Sequence, residues 1–112
     1  MKLITAIVRP ESLDELSRAV VQAGARGLTA TEAKGFGQQF GRSRAGWPPG
    51  GEVQLLPKVR VEILVRDDET YAIMEALTKA IYTGGIGDGK VWVCPVEAAV
   101  RVRTGEHDRA AV

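Results

Sequence analysis

The spacing of apolar residues along this chain changes several times, and each change marks an element. Leu3 to Val8 is a short apolar run that predicts a β-strand, ended by Pro10. Leu13, Leu16, Val20 and Ala23 then recur at helical spacing. Ser12, with Glu15 three positions on, has the form of a capping box for that helix, and Gly24 stops it. Leu28 to Lys34, polar-alternating and rich in threonine and alanine, predicts a second strand. Lys58 to Arg66 alternates Val59, Val61, Ile63 and Val65, the pattern of a half-buried strand. Asp68 can cap a second helix whose apolar side carries Ile73, Met74, Leu77, Ala80 and Ile81. Val91 to Val93 predicts a fourth strand, and Val100 to Arg103 a short fifth.

The order strand, helix, strand, long gap, strand, helix, strand is that of an α+β, ferredoxin-like βαββαβ fold. Its antiparallel sheet carries two helices on one face. Val59, Val61, Ile63 and Val65, with Leu64 among the residues between, put apolar groups on both faces. Helices cover only one, so association with further copies is the economical way to bury the other. The gap from Gly35 to Pro57, including a loop over about 37–56, is long for a compact domain, and such loops are commonly functional or mobile. Gly, Pro, Arg and Ser dominate its middle. A disordered insertion and a projecting partner-binding loop are the two readings of it.

Composition narrows the classes. A chain of 112 residues fits a single domain, 1–112, with one modest core. Lys and Arg together number 15 against 14 Asp and Glu, which argues against a general nucleic-acid or membrane binder. Cys94 is the one cysteine, so no internal disulfide forms, and its apolar surroundings predict a buried, inert thiol. The opening run meets Arg9-Pro10 and is too short for a secretion signal. No apolar stretch approaches the ~20 residues that span a bilayer. A cytoplasmic protein without membrane insertion is expected.

The chemistry concentrates in Thr83 to Val93. Gly85, Gly87 and Gly89 free backbone N–H groups to point at an anion, and Lys90 follows at once. Arg101 and Arg103 share a face if their segment is a strand. Glycine amides and three cations suit a polyphosphate. A Walker A loop is excluded, because Val91 stands where Ser or Thr would hold Mg²⁺ and the loop enters a strand rather than a helix. Enzyme signals are absent. His107 is the one histidine and lies in a charged tail, and Asp67-Asp68 reads as a turn and helix cap. The aromatics are scattered or, like Phe36 and Phe40, flank the long loop, unlike those of an RNA-reading sheet.

Thr83, then Gly87-Asp88-Gly89-Lys90 and Val91-Trp92-Val93, resembles the C-terminal signature of the PII signal-transduction proteins. Lys34-Gly35-Phe36-Gly37, Leu56-Pro57-Lys58-Val59 and Arg101-Val102-Arg103-Thr104-Gly105-Glu106 resemble its other landmarks, in order and at matching spacing. The resemblance implies a homotrimer that binds ATP or ADP in clefts between subunits and signals nitrogen status. Gly87, Asp88, Gly89 and Lys90 would wrap the phosphates, with Arg101 and Arg103 adding charge. Gly35, Phe36, Gly37 and Gln38 would close the cleft, and Thr29, Glu62 and Leu64 would face the adenine and ribose. Lys58 would pair a carboxylate of 2-oxoglutarate, and Gln39 would help to hold the Mg²⁺ bridging that acid to ATP.

Three positions depart from the family pattern. Gln38 stands where arginine is common, which leaves ATP against ADP preference open. Gly51 replaces the tyrosine that the family modifies, so nucleotidylylation has no acceptor there. Trp47, followed by Pro48-Pro49, replaces the arginine that plugs ammonium channels. Trp47 would anchor a target protein, such as an ammonium channel or regulatory enzyme, while Arg42 and Arg44 flank Ser43 and steer. The alternatives are a divergent nucleotide sensor for metal or inorganic-carbon transport, and a slow ATP hydrolase using the same cleft.

Overall fold

A computed structural model of the chain describes residues 1–37 and 53–112. Gln38, Gln39, Arg42, Ser43, Arg44, Trp47 and Gly51 lie outside the described residues. The elements are β1 (Lys2–Val8), α1 (Leu13–Gln22), β2 (Thr29–Gly35), β3 (Leu56–Val65), α2 (Thr70–Ile81) and β4 (Lys90–Pro95). Short 3-10 turns precede each helix, at Pro10–Ser12 and Asp67–Glu69, and another lies near the C-terminus at Asp108–Ala111.

The sheet order is β2-β3-β1-β4, and every neighbouring pair is antiparallel. This is the expected ferredoxin-like βαββαβ arrangement. β1 is central. It pairs with β3 from Lys2↔Val65 to Val8↔Val59, and with β4 from Lys2↔Pro95 to Ile7↔Lys90.

Strand alternation divides the sheet into two faces. Ile4, Ala6 and Val8 of β1 and Val59, Val61, Ile63 and Val65 of β3 are buried in one cluster with Leu16 and Val20 of α1 and Ile73, Leu77 and Ile81 of α2. The predicted apolar stripes of both helices therefore point at the sheet. The opposite face carries Thr5, aligned with Glu62 on one side and Trp92 on the other. Thr5 is buried, whereas Trp92 is 37% exposed.

Cys94 is exposed, contrary to the expected buried thiol. The reason is register. Val91 and Val93 pack against the core. Trp92 and Cys94, one residue out of phase, point to the face without helices.

Two predicted caps take other forms. Ser12 makes no capping hydrogen bond, because Pro10–Ser12 forms a 3-10 turn and leaves Ser12 in a helical conformation. Asp68 sits inside the second 3-10 turn and instead meets Arg109 at 3.3 Å. Glu69 takes the local capping role, accepting from the Arg66 amide at 3.3 Å and from Arg26 Nη1 at 2.9 Å.

The predicted fifth strand also fails. Val100 makes one isolated bridge to His107, and the chain reverses between them. The Arg101 amide donates to Glu106 O at 2.9 Å, and Gly105, at φ 73°, donates to Arg101 O at 2.8 Å. Gly105 supplies the left-handed conformation that this tight turn requires.

Leu77 is fully buried on α2, whereas Tyr71 on the same helix is 78% exposed. Leu77→Ala is expected to destabilise the fold by about 2–5 kcal/mol through lost burial and a residual cavity. Tyr71→Ala is expected to change stability by about 0.5 kcal/mol or less. Urea unfolding measures both.

Candidate functional site

The loop between α2 and β4 is organised by Asp88. Its Oδ2 accepts the Thr83 amide at 2.8 Å and the Gly84 amide at 2.9 Å. Its Oδ1 accepts the Thr83 hydroxyl and, at 3.2 Å, Arg9 Nη2. Thr83 Oγ1 in turn accepts the Gly85 amide at 3.2 Å. These bonds, led by those from Thr83, hold the Asp88 carboxyl below its ordinary range, with Arg9 adding to the effect.

The carboxylate therefore folds the loop on itself through its side chain. Among the described residues, the Gly87 amide has no hydrogen-bond partner. Gly84, Gly87 and Gly89 adopt φ of 84°, 98° and 116°. Gly89 has a second constraint. A Cβ there would lie 2.3 Å from Ile7 O, so only glycine lets the loop enter β4 so close to β1.

A cleft of about 590 Å³ lies against this loop. It brings together Gly35, Phe36, Gly37 and Lys58 from the β2 and β3 ends with Gly87, Gly89 and Lys90. Lys58 and Lys90 form no ion pair with a described residue. Cations and an amide without partners among the described residues, together with glycine backbone, fit an anionic ligand.

A second cleft, of about 310 Å³, collects Thr29, Glu62, Leu64 and Arg101. It shares no lining residue with the first. Thr29 and Gly35 begin and end β2. At the rise of an extended strand the separation is about 20 Å. Arg101 is held there by Glu106 at 2.9 Å and by the Ala111 carbonyl at 3.4 Å.

One chain thus does not unite Arg101 with Lys90. Arg103 is exposed and lines neither cleft. The turn at Arg101–Gly105 removes the strand face that the two arginines were expected to share.

Sequence reasoning did not select Ile7 or Arg9. Ile7 lines the first cleft, and Arg9 reaches both Ile86 O and Asp88. Arg9 has no local signal, because its partners lie 77 and 79 residues away. The contact between Thr83 and Asp88 spans only five residues, and a threonine and an aspartate bracketing a glycine loop were the available clue.

Residues 1–106 match the family model described as nitrogen regulatory protein P-II. Over all 112 residues the chain is 41% identical to nitrogen regulatory protein GlnK of Escherichia coli (strain K12). It is 46% identical to nitrogen regulatory protein P-II of Mesorhizobium japonicum and 45% identical to that of Azospirillum brasilense. Each match covers 100% of both chains.

Two outcomes follow from the loop's geometry. Gly89→Ala is expected to lower stability by about 1–3 kcal/mol, since the left-handed backbone and the contact with β1 both resist a side chain. Chemical denaturation measures it. A depressed carboxyl favours the folded loop above the ordinary aspartate value of 3.8 and loses that contribution as pH falls through the folded value. Hydrogen-exchange protection of the Thr83 and Gly84 amides should therefore persist at neutral pH and decline in acid. Asp88→Asn should remove that acid step.

Proposed function

We propose that this chain, which belongs to the nitrogen regulatory protein P-II family of regulators, senses ATP and ADP through a site completed between copies of itself. One observation carries the reading. The residues that nucleotide binding calls for divide into two clefts at opposite ends of β2, one with the glycine loop and Lys90, the other with Thr29, Glu62, Leu64 and Arg101. In a homotrimer the first cleft of one subunit would meet the second cleft of its neighbour. Gly35, Phe36, Gly37, Gly87, Gly89 and Lys90 would receive the phosphates. Thr29, Glu62 and Leu64 would receive the nucleoside, with Arg101 and Arg103 adding charge from the neighbouring copy. Gln38 would close the phosphate end.

The sheet face without helices supports assembly, since Trp92 on it is partly exposed. Lys58 stands in the phosphate cleft without an ion-pair partner among the described residues, as a receptor for a carboxylate of 2-oxoglutarate would. Mg²⁺ bound with ATP would bridge to that acid beside Gln39. Mg²⁺ commonly binds through phosphates and few protein ligands, so it needs no carboxylate cage.

Bound ligand then selects among states of the long loop, and the loop engages a regulatory enzyme or an ammonium channel through Trp47, Arg42 and Arg44. The ligands act only through unequal affinity for those states. No described helix is long and apolar enough to cross a membrane. The near-balanced charge gives nucleic acid no purchase, and cytoplasmic work fits both.

Calorimetric titration with ATP, ADP and AMP, each with and without Mg²⁺ and 2-oxoglutarate, tests the site. Lys90→Ala is expected to weaken ATP by roughly tenfold or more, the worth of one hydrogen bond to a charged group. 2-Oxoglutarate should bind only with Mg-ATP and should be lost in Lys58→Ala. Light scattering should give a trimer. Unchanged ATP affinity in Lys90→Ala, or a stable monomer that binds ATP as tightly, would overturn the shared site.

A further inference from the structure

Arg9 closes β1 and stands beside the glycine loop without being part of it. Ile7, two residues earlier, pairs with Lys90, so the end of β1 and the end of the loop are adjacent. From there one guanidinium nitrogen, Nη2, reaches Ile86 O and Asp88 Oδ1, each at 3.2 Å. The Arg9 and Asp88 side chains are 28% and 19% exposed. Such partial burial limits the solvent screening that makes most surface ion pairs weak.

The location of Asp88 gives this contact its consequence. Asp88 folds the loop by accepting the Thr83 and Gly84 amides. It thereby fixes a negative charge in the same loop that offers the Gly87 amide and Lys90 to an anion. A carboxylate there repels phosphate, and the repulsion rises with the charge on the ligand. Arg9 is the cation paired with it.

We propose that Arg9 is a positioning residue of the polyphosphate site, pinning the loop to β1 through Ile86 and Asp88 and cancelling the Asp88 charge so that the loop accepts highly charged nucleotides. The inference rests on the nucleotide reading above. Loss of a purely structural arginine would lower the affinity of every ligand alike. Loss of a charge-cancelling arginine lowers affinity in proportion to phosphate number, so Arg9 contributes to telling ATP from AMP.

The experiment is calorimetric titration of ATP, ADP and AMP into the wild-type protein and into Arg9→Gln, Arg9→Lys, Arg9→Gln/Asp88→Asn and Lys90→Ala. Arg9→Gln is expected to weaken ATP by about tenfold, ADP less and AMP least. Arg9→Lys restores most of the loss because it keeps the charge, though not the planar donor geometry. Removing the Asp88 charge as well recovers part of the charge-dependent loss, as coupled residues do. Equal losses for all three nucleotides, or full ATP affinity in Arg9→Gln, overturns the proposal. If Lys90→Ala weakens ATP while Arg9→Gln does not, the role of Arg9 falls alone. If the wild-type protein binds no nucleotide, the reading beneath it falls too.

Discussion

β1 is hydrogen-bonded along both edges, to β3 on one side and β4 on the other, and the features that could meet a ligand are located relative to it. Its alternate residues Ile4, Ala6 and Val8 are fully buried under the two helices. Burial of that kind is the main favourable term in folding, so the strand's register is strongly specified. The same register sets Lys90 against Ile7 and brings the glycine loop to the end of the strand. Gly89 is then forced by proximity, with Ile7 O where a side chain would go. Core packing and site geometry are therefore one constraint seen from two ends of a strand.

The loop itself is a division of backbone donors. Asp88 and Thr83 satisfy the amides of Thr83, Gly84 and Gly85 internally. Such closure stabilises a loop that would otherwise lose conformational freedom only when a ligand arrived. It also introduces a negative charge into a region suited to anions. Arg9 balances that charge from outside the loop.

A sheet with helices on one face leaves its other face to be covered. In this chain that face carries Trp92 and Cys94, while two ligand-sized clefts among the described residues lie at opposite ends of β2. Assembly through the open face would bury the aromatic surface and supply each cleft with its complement from another copy. Folding, oligomerisation and ligand binding would then be coupled through one sheet.

Much of the fold was legible in the chain. The period-two run Val59, Val61, Ile63, Val65 and the helical spacing of Leu16 with Val20, and of Ile73 with Leu77 and Ile81, are local patterns, and all of these residues are buried. The glycine signature and Lys90 were legible too, because contiguous residues carry them. The caps, the supposed fifth strand and the state of Cys94 were not. Each depends on a competition: a 3-10 turn against a capping box, a glycine turn against a strand, one sheet face against the other. The linkage of Arg9 to Ile86 and Asp88, across 77 and 79 residues, has no period at all. Nor does the separation of Arg101 from Lys90. The sequence by itself determined which residues are apolar, which can turn and which carry charge, since those are properties of side chains and their spacing. Only the tertiary structure decided which charges meet and which remain free, because that depends on strand register and on which donor reaches each acceptor first.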